Sequence, residues 1–216
     1  MGNSKGLRTT ILVLSALLIL NIGLLLIFDH IQNKRDLELQ HKQTELVQQQ
    51  SKLKSLRKSV RLSALEIASD SSNATIRLSS KQELSQTLAK KTSTGFFKAY
   101  MTYSNGQSFR ARKLKATAYA SSSVTANKTL FSSGQDSLGG DYIDTTQLHS
   151  TFVSAQTTLG PLQGDTASGL VQVAYQAWKG DSTPGNATDL YKITYDSKLN
   201  KLTGVKKLTN LYLTTE

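Results

Sequence analysis

From Thr9 to Phe28 the chain runs for twenty residues without a charge (TTILVLSALLILNIGLLLIF). At about 1.5 Å of helical rise per residue such a run reaches roughly 30 Å, the thickness of a bilayer's hydrocarbon core. The pattern predicts a single membrane anchor, with Thr9, Leu12, Leu17, Leu20, Leu25 and Phe28 as its marker positions. A cleaved signal peptide would carry an apolar region of about 7–15 residues and a small-residue cleavage site, and no such site follows. Residues 1–8 form a short polar head with Lys5 and Arg8, and Lys34, Arg35 and Lys42 follow on the other side. The charge bias is therefore nearly silent on orientation. An eight-residue head before a first apolar segment reads as an uncleaved signal anchor, with the head cytoplasmic and the remainder extracytoplasmic.

Beyond the anchor the period changes. Residues 29–70 form a predicted helical stalk, since Asp29 to Ser69 lacks Pro and Gly and is rich in Gln, Lys, Leu and Glu. Leu39, Leu46, Leu53, Val60 and Ile67 recur every seven residues, which is half of a coiled-coil seam. The other half is missing, because the positions three residues on are Lys42, Gln49, Leu56, Ser63 and Asp70. Two readings stay open: an oligomer spine of weak coiled-coil type, or an apolar face (Leu53, Leu56, Val60, Ala64, Ile67, Ala68) that docks on the following domain.

Residues 71–216 read as a domain of helices followed by strands. Ser69 to Ser79 breaks the stalk, and Ser80 with Glu83 fits a capping box opening the next helix. Leu84, Leu88, Phe96, Phe97, Tyr100 and Met101 follow at mostly helical spacing, until Asn105-Gly106 ends the element. A further helix from Ser108 to about Ala120 would turn Phe109, Leu114 and Ala118 inward and its basic residues outward. Ser121 to Thr146 reads as a long loop pinned by Leu130-Phe131 and Tyr142-Ile143. The period then becomes two: His149 to Leu159, Leu170 to Trp178 with Val171, Val173, Tyr175 and Ala177 on one face, Leu190 to Tyr195 with Tyr191, Ile193 and Tyr195 together, and Leu202 to Leu213. Consecutive strands with short turns imply an antiparallel sheet, and helices first with sheet afterwards imply an α+β domain.

Charge sharpens this division. The net charge is +11; residues 1–70 carry 10 Lys/Arg and 6 Asp/Glu, and residues 71–216 carry 16 and 9. The excess gathers early in the domain, at Lys81, Lys90, Lys91, Lys98, Arg110, Arg112, Lys113 and Lys115, opposed only by Glu83. Lys90, Lys91, Lys98, Arg110, Arg112, Lys113 and Lys115 form the candidate basic patch. Such a surface attracts anionic lipid, wall polymer, nucleic acid or an acidic partner; charge alone admits nucleic acid, and no motif supports it.

Candidate chemistry is sparse. The chain has no Cys, which excludes disulfides, thiol nucleophiles and thiolate metal sites. His30, His41 and His149 lie in no zinc-ligand spacing. His149 with Asp144 and a Ser would make a hydrolytic trio, but no Gly-x-Ser-x-Gly elbow accompanies them. Asp136, Asp141 and Asp144 do not match the ligand spacing of a calcium loop. No phosphate-binding glycine motif occurs, and no carboxylate looks buried on the inward strand faces. No catalytic residue, cofactor or metal is expected. Three Asn-x-Thr triplets, at Asn73, Asn127 and Asn186, are what chance gives in so Ser/Thr-rich a chain. Tyr175, Trp178, Tyr191, Tyr195 and Tyr212 read as core and sheet surface, with Trp178 placed to anchor a partner.

The stretches LVQVAYQAWKG (Leu170 to Gly180) and DLYKITYDSKLNKLTGVKKL (Asp189 to Leu208), set behind a short head, one anchor and a long helix, resemble the bitopic VirB-eight-like subunits of type IV secretion and conjugation systems. The resemblance is one of architecture and hairpin style. It implies an outer domain of the nuclear transport factor 2-like fold, with helices on a curved antiparallel sheet. It also implies a non-enzymatic scaffold that self-associates as a homo-oligomer and joins other secretion-channel subunits at the cell membrane. The absence of Cys and of a cleavage site resembles versions from bacteria with a single membrane, the Gram-positive type. The polar stretch 121–146 is longer than that pattern has between helices and sheet. The same head, anchor and Leu-spaced helix also describe a coiled-coil cell-division or wall-assembly protein, which is the alternative.

Overall fold

The computed structural model describes the backbone of residues 4–211 and the side chains of residues 32 and 34–209. The elements in chain order are α1 (Ser4–Ser69), α2 (Ala74–Met101), α3 (Gly106–Ala116), α4 (Ser122–Thr125), α5 (Tyr142–Thr145), β1 (Leu148–Leu159), β2 (Thr166–Lys179), β3 (Gly185–Asp196) and β4 (Lys201–Leu211). They divide into two compact units, Met1–Arg61 and Leu62–Glu216.

The first unit is helical. Its polar surface is laced by local contacts: Lys42 and Glu38 pair at 2.9 Å, and Gln49 donates to Glu45 at 3.2 Å. Ser51, Ser55 and Ser59 return their hydroxyls to carbonyls three residues back, which lets serines sit in a helix. The predicted anchor, from Thr9 to Phe28, has its backbone in α1 and its side chains outside the described residues. Among the described residues, no helix is long and apolar enough to cross a membrane.

The second unit takes in the last turns of α1. There Ile67 is 77% exposed while Leu62, Leu65 and Ala68 are half-buried, so the inward stripe differs from the expected Leu53–Ala68 face. Helix α2 also begins earlier than Ser80. Asn73 caps it, accepting from the backbone N–H groups of Thr75 and Ile76, and Ser80 is buried within the helix. Asn73 thus forms an Asx cap, and the Ser80/Glu83 box is not the helix start.

The sheet is a meander in the order β1-β2-β3-β4, with every neighbouring pair antiparallel. This bears out the α+β reading. Bulges interrupt the register at Phe152/Ser154, Leu190/Tyr191 and Thr194/Tyr195, and bulges bend the strand that carries them. Val171 and Val173 of β2 and Tyr191, Ile193 and Tyr195 of β3 line the inner face, as strand period two requires, and Leu202 and Val205 of β4 join them because the bulge at Thr194/Tyr195 resets the parity of β4. Helix α2 lies mainly against β1 and supplies Phe96, Phe97 and Met101 to the same core. Phe97 meets Tyr191 with ring centroids 4.7 Å apart and Phe96 edge-on at 5.1 Å. Gln82 locks the near end of α2 to the β1–β2 turn: its Nε2 donates to the Gly160 carbonyl at 3.0 Å, and its Oε1 accepts from the Leu162 N–H at 2.8 Å.

The stretch 121–146 is mostly irregular, with α4 and α5 each four residues long. Leu130 and Ile143 are the buried pins expected of it, while Tyr142 stays 43% exposed.

Candidate functional site

Two places concentrate polar chemistry. The first is inside the sheet. Asp189 stands on β3 opposite Val173 of β2, two residues before Tyr191, and is only 2% exposed. Its Oδ2 accepts from the Tyr191 hydroxyl at 3.1 Å and pairs with Lys207 Nζ of β4 at 2.7 Å. Its Oδ1 is buried with no hydrogen-bond partner among the described residues. The Tyr175 phenol lies beside the same carboxylate; burial first, and then the Asp189 charge, push its pKa up to about 12. Burial, with Tyr100 and Asp189 adding to it, raises Tyr191 further.

Contrary to the expectation that no carboxylate is buried on an inward strand face, Asp189 is. The signal was present, since Asp189 shares parity with Tyr191, Ile193 and Tyr195. Its partner was harder to see. Lys207 turns inward because the bulges in the β3–β4 pairing shift parity along β4. A lysine and a tyrosine already hold one carboxylate oxygen, so the cluster pins β4 to β3 across the inner face.

The second place is the basic surface of α2 and α3. Lys90, Lys91 and Lys98 of α2 and Lys113 and Lys115 of α3 are exposed, as expected. Arg110 is exposed too, but its guanidinium is tied to Asp141, which lowers the Asp141 pKa below the usual carboxylate range.

Arg112 is not part of this surface. It is 4% exposed, because it falls between Phe109 and Ala116 on the buried stripe of α3. Its guanidinium lies 3.5 Å over the Phe109 ring and 4.9 and 5.1 Å from the rings of Tyr100 and Tyr103. It donates to the carbonyls of Phe109 and Tyr100 at 2.8 and 2.9 Å. Burial pulls its pKa down, and the neighbouring tyrosines oppose that shift. An aromatic cage with two carbonyl acceptors thus replaces a carboxylate partner. Leu114, expected inward, is 75% exposed in consequence, and Ala118 is exposed as well.

Two concavities flank this surface. A groove of about 450 Å³ runs between α2 and the end of α3, with Gly95, Ala99, Ala118 and Tyr119 in its walls and Lys98 and Lys115 at its rim. The Tyr119 ring lies so close over Gly95 that a Cβ built there would fall 2.3 Å from it. A larger cleft of about 690 Å³ lies beside α2, with Leu78, Leu84, Leu88 and Leu162 against Lys81 and Lys198.

The remaining candidates are separate. Asp144 Oδ1 accepts from the Gly106 N–H at 2.8 Å at the start of α3, whereas His149 stacks on Trp178 with centroids 5.3 Å apart. The structure gives the proposed hydrolytic pair no mutual hydrogen bond. Trp178, read as a partner anchor, has its ring against His149. Asp136 accepts from the N–H groups of Leu138 and Gly140, and Asp141 from those of Ile143 and Asp144, so both shape their loop. Among the described residues, no cluster of three His, Asp or Glu side chains could hold a metal. Along α1, Leu39, Leu46, Leu53, Val60 and Ile67 are 50–77% exposed, an unpartnered stripe in the single chain.

No protein-family model matches the chain, and no curated protein matches its sequence. Among solved structures, the transfer protein TraH from a Gram-positive conjugative plasmid, determined by NMR in solution, is similar at a TM-score of 0.47 and 14% identity, over 61% of this chain and 97% of that one. An Ntf2-like protein involved in plasmid conjugation is similar at a TM-score of 0.38 and 8% identity, over 60% of this chain and 51% of that one.

Proposed function

We propose that this chain is a membrane-anchored, non-enzymatic scaffold subunit of a type IV secretion or conjugative DNA-transfer channel, acting through self-association and contacts with other channel subunits. The residues that suggest it are the uncharged run from Thr9 to Phe28, the long helix behind it, and the strands Leu170–Gly180 and Asp189–Leu208, which resemble the VirB-eight-like, nuclear transport factor 2-like pattern. The observation that carries the scaffold half of the reading is the state of the inner sheet face. Tyr191, Tyr195, Phe96 and Phe97 fill it at 0–1% exposure, and the inward carboxylate of Asp189 is engaged at Oδ2 by Lys207 and Tyr191. What the domain offers a partner is its outside, the lysines of α2 and α3 and two grooves, and the stalk separately offers the exposed Leu stripe of α1.

In this reading the first 28 residues fix the chain in the cell membrane with its head cytoplasmic, and the domain contacts partners on the outer side. The test is conjugative transfer in a strain whose copy lacks residues 71–216 but keeps the anchor and stalk. Loss of transfer, with crosslinks from the intact chain to channel subunits, supports the reading. Undiminished transfer without the domain overturns it.

The exposed stripe from Leu39 to Ile67 favours a second reading, a coiled-coil cell-division or wall-assembly protein. That protein would gather at the septum and work without the domain after residue 80. A transfer ATPase and relaxase encoded nearby favour the first reading, and wall-synthesis genes the second.

A further inference from the structure

We propose that the groove between α2 and α3 receives the tip of the Ser133–Asp144 loop of a second copy of this chain, with Leu138 as the knob, so that subunits join head to tail. The inference rests on the self-association in the function proposed above and assigns it a surface.

The loop is built as a knob. Leu138 is 95% exposed, more than any other large apolar side chain among the described residues. Single exposed leucines are common and need no explanation, but this one sits on a fixed frame. Asp136 Oδ1 accepts from the N–H groups of Leu138 at 2.9 Å and Gly140 at 2.8 Å, and the Asp136 N–H donates to the Gly140 carbonyl at 2.9 Å. Gly139 takes a φ of +85°, in the region glycine favours, and closes the turn. At the loop base the Tyr142 N–H donates to the Gly134 carbonyl at 2.9 Å. A tip held in this way loses little conformational entropy on docking.

The groove is complementary to it. Gly95, Ala99 and Ala118 leave about 450 Å³ open, Tyr119 forms an aromatic wall, and Lys98 and Lys115 stand at the rim. Neither lysine forms an ion pair among the described residues. Residues 84–135 contain no Asp or Glu at all, so α2 beyond Glu83 and the whole of α3 present only positive charge. Beside Leu138 the exposed Asp136 has both of its accepted backbone bonds at Oδ1, and among the described residues Oδ2 has no hydrogen-bond partner.

Placement decides that the partner is another molecule. The loop is fastened to the start of α3, through Asp144 to Gly106 and Asp141 to Arg110, whereas on the α3 side the groove is walled by Lys115 of its last turn and by Ala118 and Tyr119 just after it. The helix has 11 residues and so spans roughly 16 Å. Knob and socket are different patches, which gives a heterologous contact that repeats from subunit to subunit.

The chain has no cysteine, so an engineered pair has no background. The experiment oxidises the full-length chain carrying both Leu138→Cys and Ala118→Cys with copper phenanthroline in cell lysates. The expected product is a ladder of dimer, trimer and higher species, with monomer only from either single variant. Monomer only from the double variant, or a dimer from Leu138→Cys alone, overturns the proposal.

Charge variants on the cysteine-pair chain then test the chemistry. Lys98→Glu with Lys115→Glu, or Asp136→Asn with Ser137→Lys, should each lower the ladder yield at least about tenfold, and all four changes together should restore it, since like charges across a contact repel and reversed pairs attract. No restoration overturns the proposal. A ladder from a chain that conjugation does not need would sink only the channel reading. A chain essential for transfer that gives no ladder would sink only the docking.

Discussion

Asp189 and Lys207 tie β3 to β4 from inside the sheet, and their exposures of 2% and 41% set how much each variant should cost. Removing one partner of a fully buried pair costs about 3–5 kcal/mol. Lys207 is partly solvated, so Lys207→Met should cost about 2–3 kcal/mol in urea unfolding, less than a fully buried cation would. The double change Asp189→Leu with Lys207→Met should recover more than half of that loss, because no charge is then left buried without a partner. A loss in the double variant equal to the sum of the singles would mean that the pair is not the unit of stability. The tyrosines add a pH limit. In the folded chain burial pushes the Tyr175 pKa up to about 12, against an ordinary value of 10.0, and Tyr191 and Tyr195 are raised as well. A raised phenol pKa gives stability that is whole below pH 10 and drains away as pH rises through the folded value. Unfolding followed by phenolate absorbance should therefore begin above pH 10, and Tyr175→Phe should make that decline shallower.

At the scale of elements, α2 depends on its cap and on one glycine. Asn73 satisfies two N–H groups at the start of the helix, so Asn73→Ala should lower stability by about 1 kcal/mol, read as a lower urea midpoint at an unchanged slope. Gly95 has the opposite character. In an exposed helix Gly→Ala is favourable by roughly 1 kcal/mol, but here the new methyl would meet the Tyr119 ring at 2.3 Å. Gly95→Ala should instead expel Tyr119 from the α2–α3 groove and raise its solvent exposure, which tyrosine fluorescence quenching would report. Ordinary quenching with a gain in stability would show that the ring yields without cost.

For the whole molecule, the prediction concerns the two units separately. The stripe Leu39, Leu46, Leu53 and Val60 lies 50–62% exposed, and an apolar row at seven-residue spacing is covered when helices associate. Replacing Leu46 and Leu53 with Gln should weaken self-association of the full chain in sedimentation while leaving the urea unfolding of the domain unchanged. If the domain unfolds earlier instead, the stripe serves folding rather than association.

The order of helices and strands, the antiparallel meander and most of its inner face were legible in the chain, because period two and period 3.6 are properties of the backbone that side-chain sequence reports directly. Val171, Val173, Tyr191, Ile193 and Tyr195 face inward as that alternation requires. Four details were decided only in three dimensions. Arg112 goes inside because three aromatic rings and two carbonyls from separate elements assemble around it. Lys207 turns inward because bulges in β4's pairing with β3 reset its parity. The half-buried stripe at the end of α1 is Leu62, Leu65 and Ala68 rather than Ile67, and α2 starts at the Asn73 cap rather than at Ser80. Periodicity says which residues share a face. Which neighbour meets that face, and whether a charge there finds a partner, depends on contacts between distant parts of the chain.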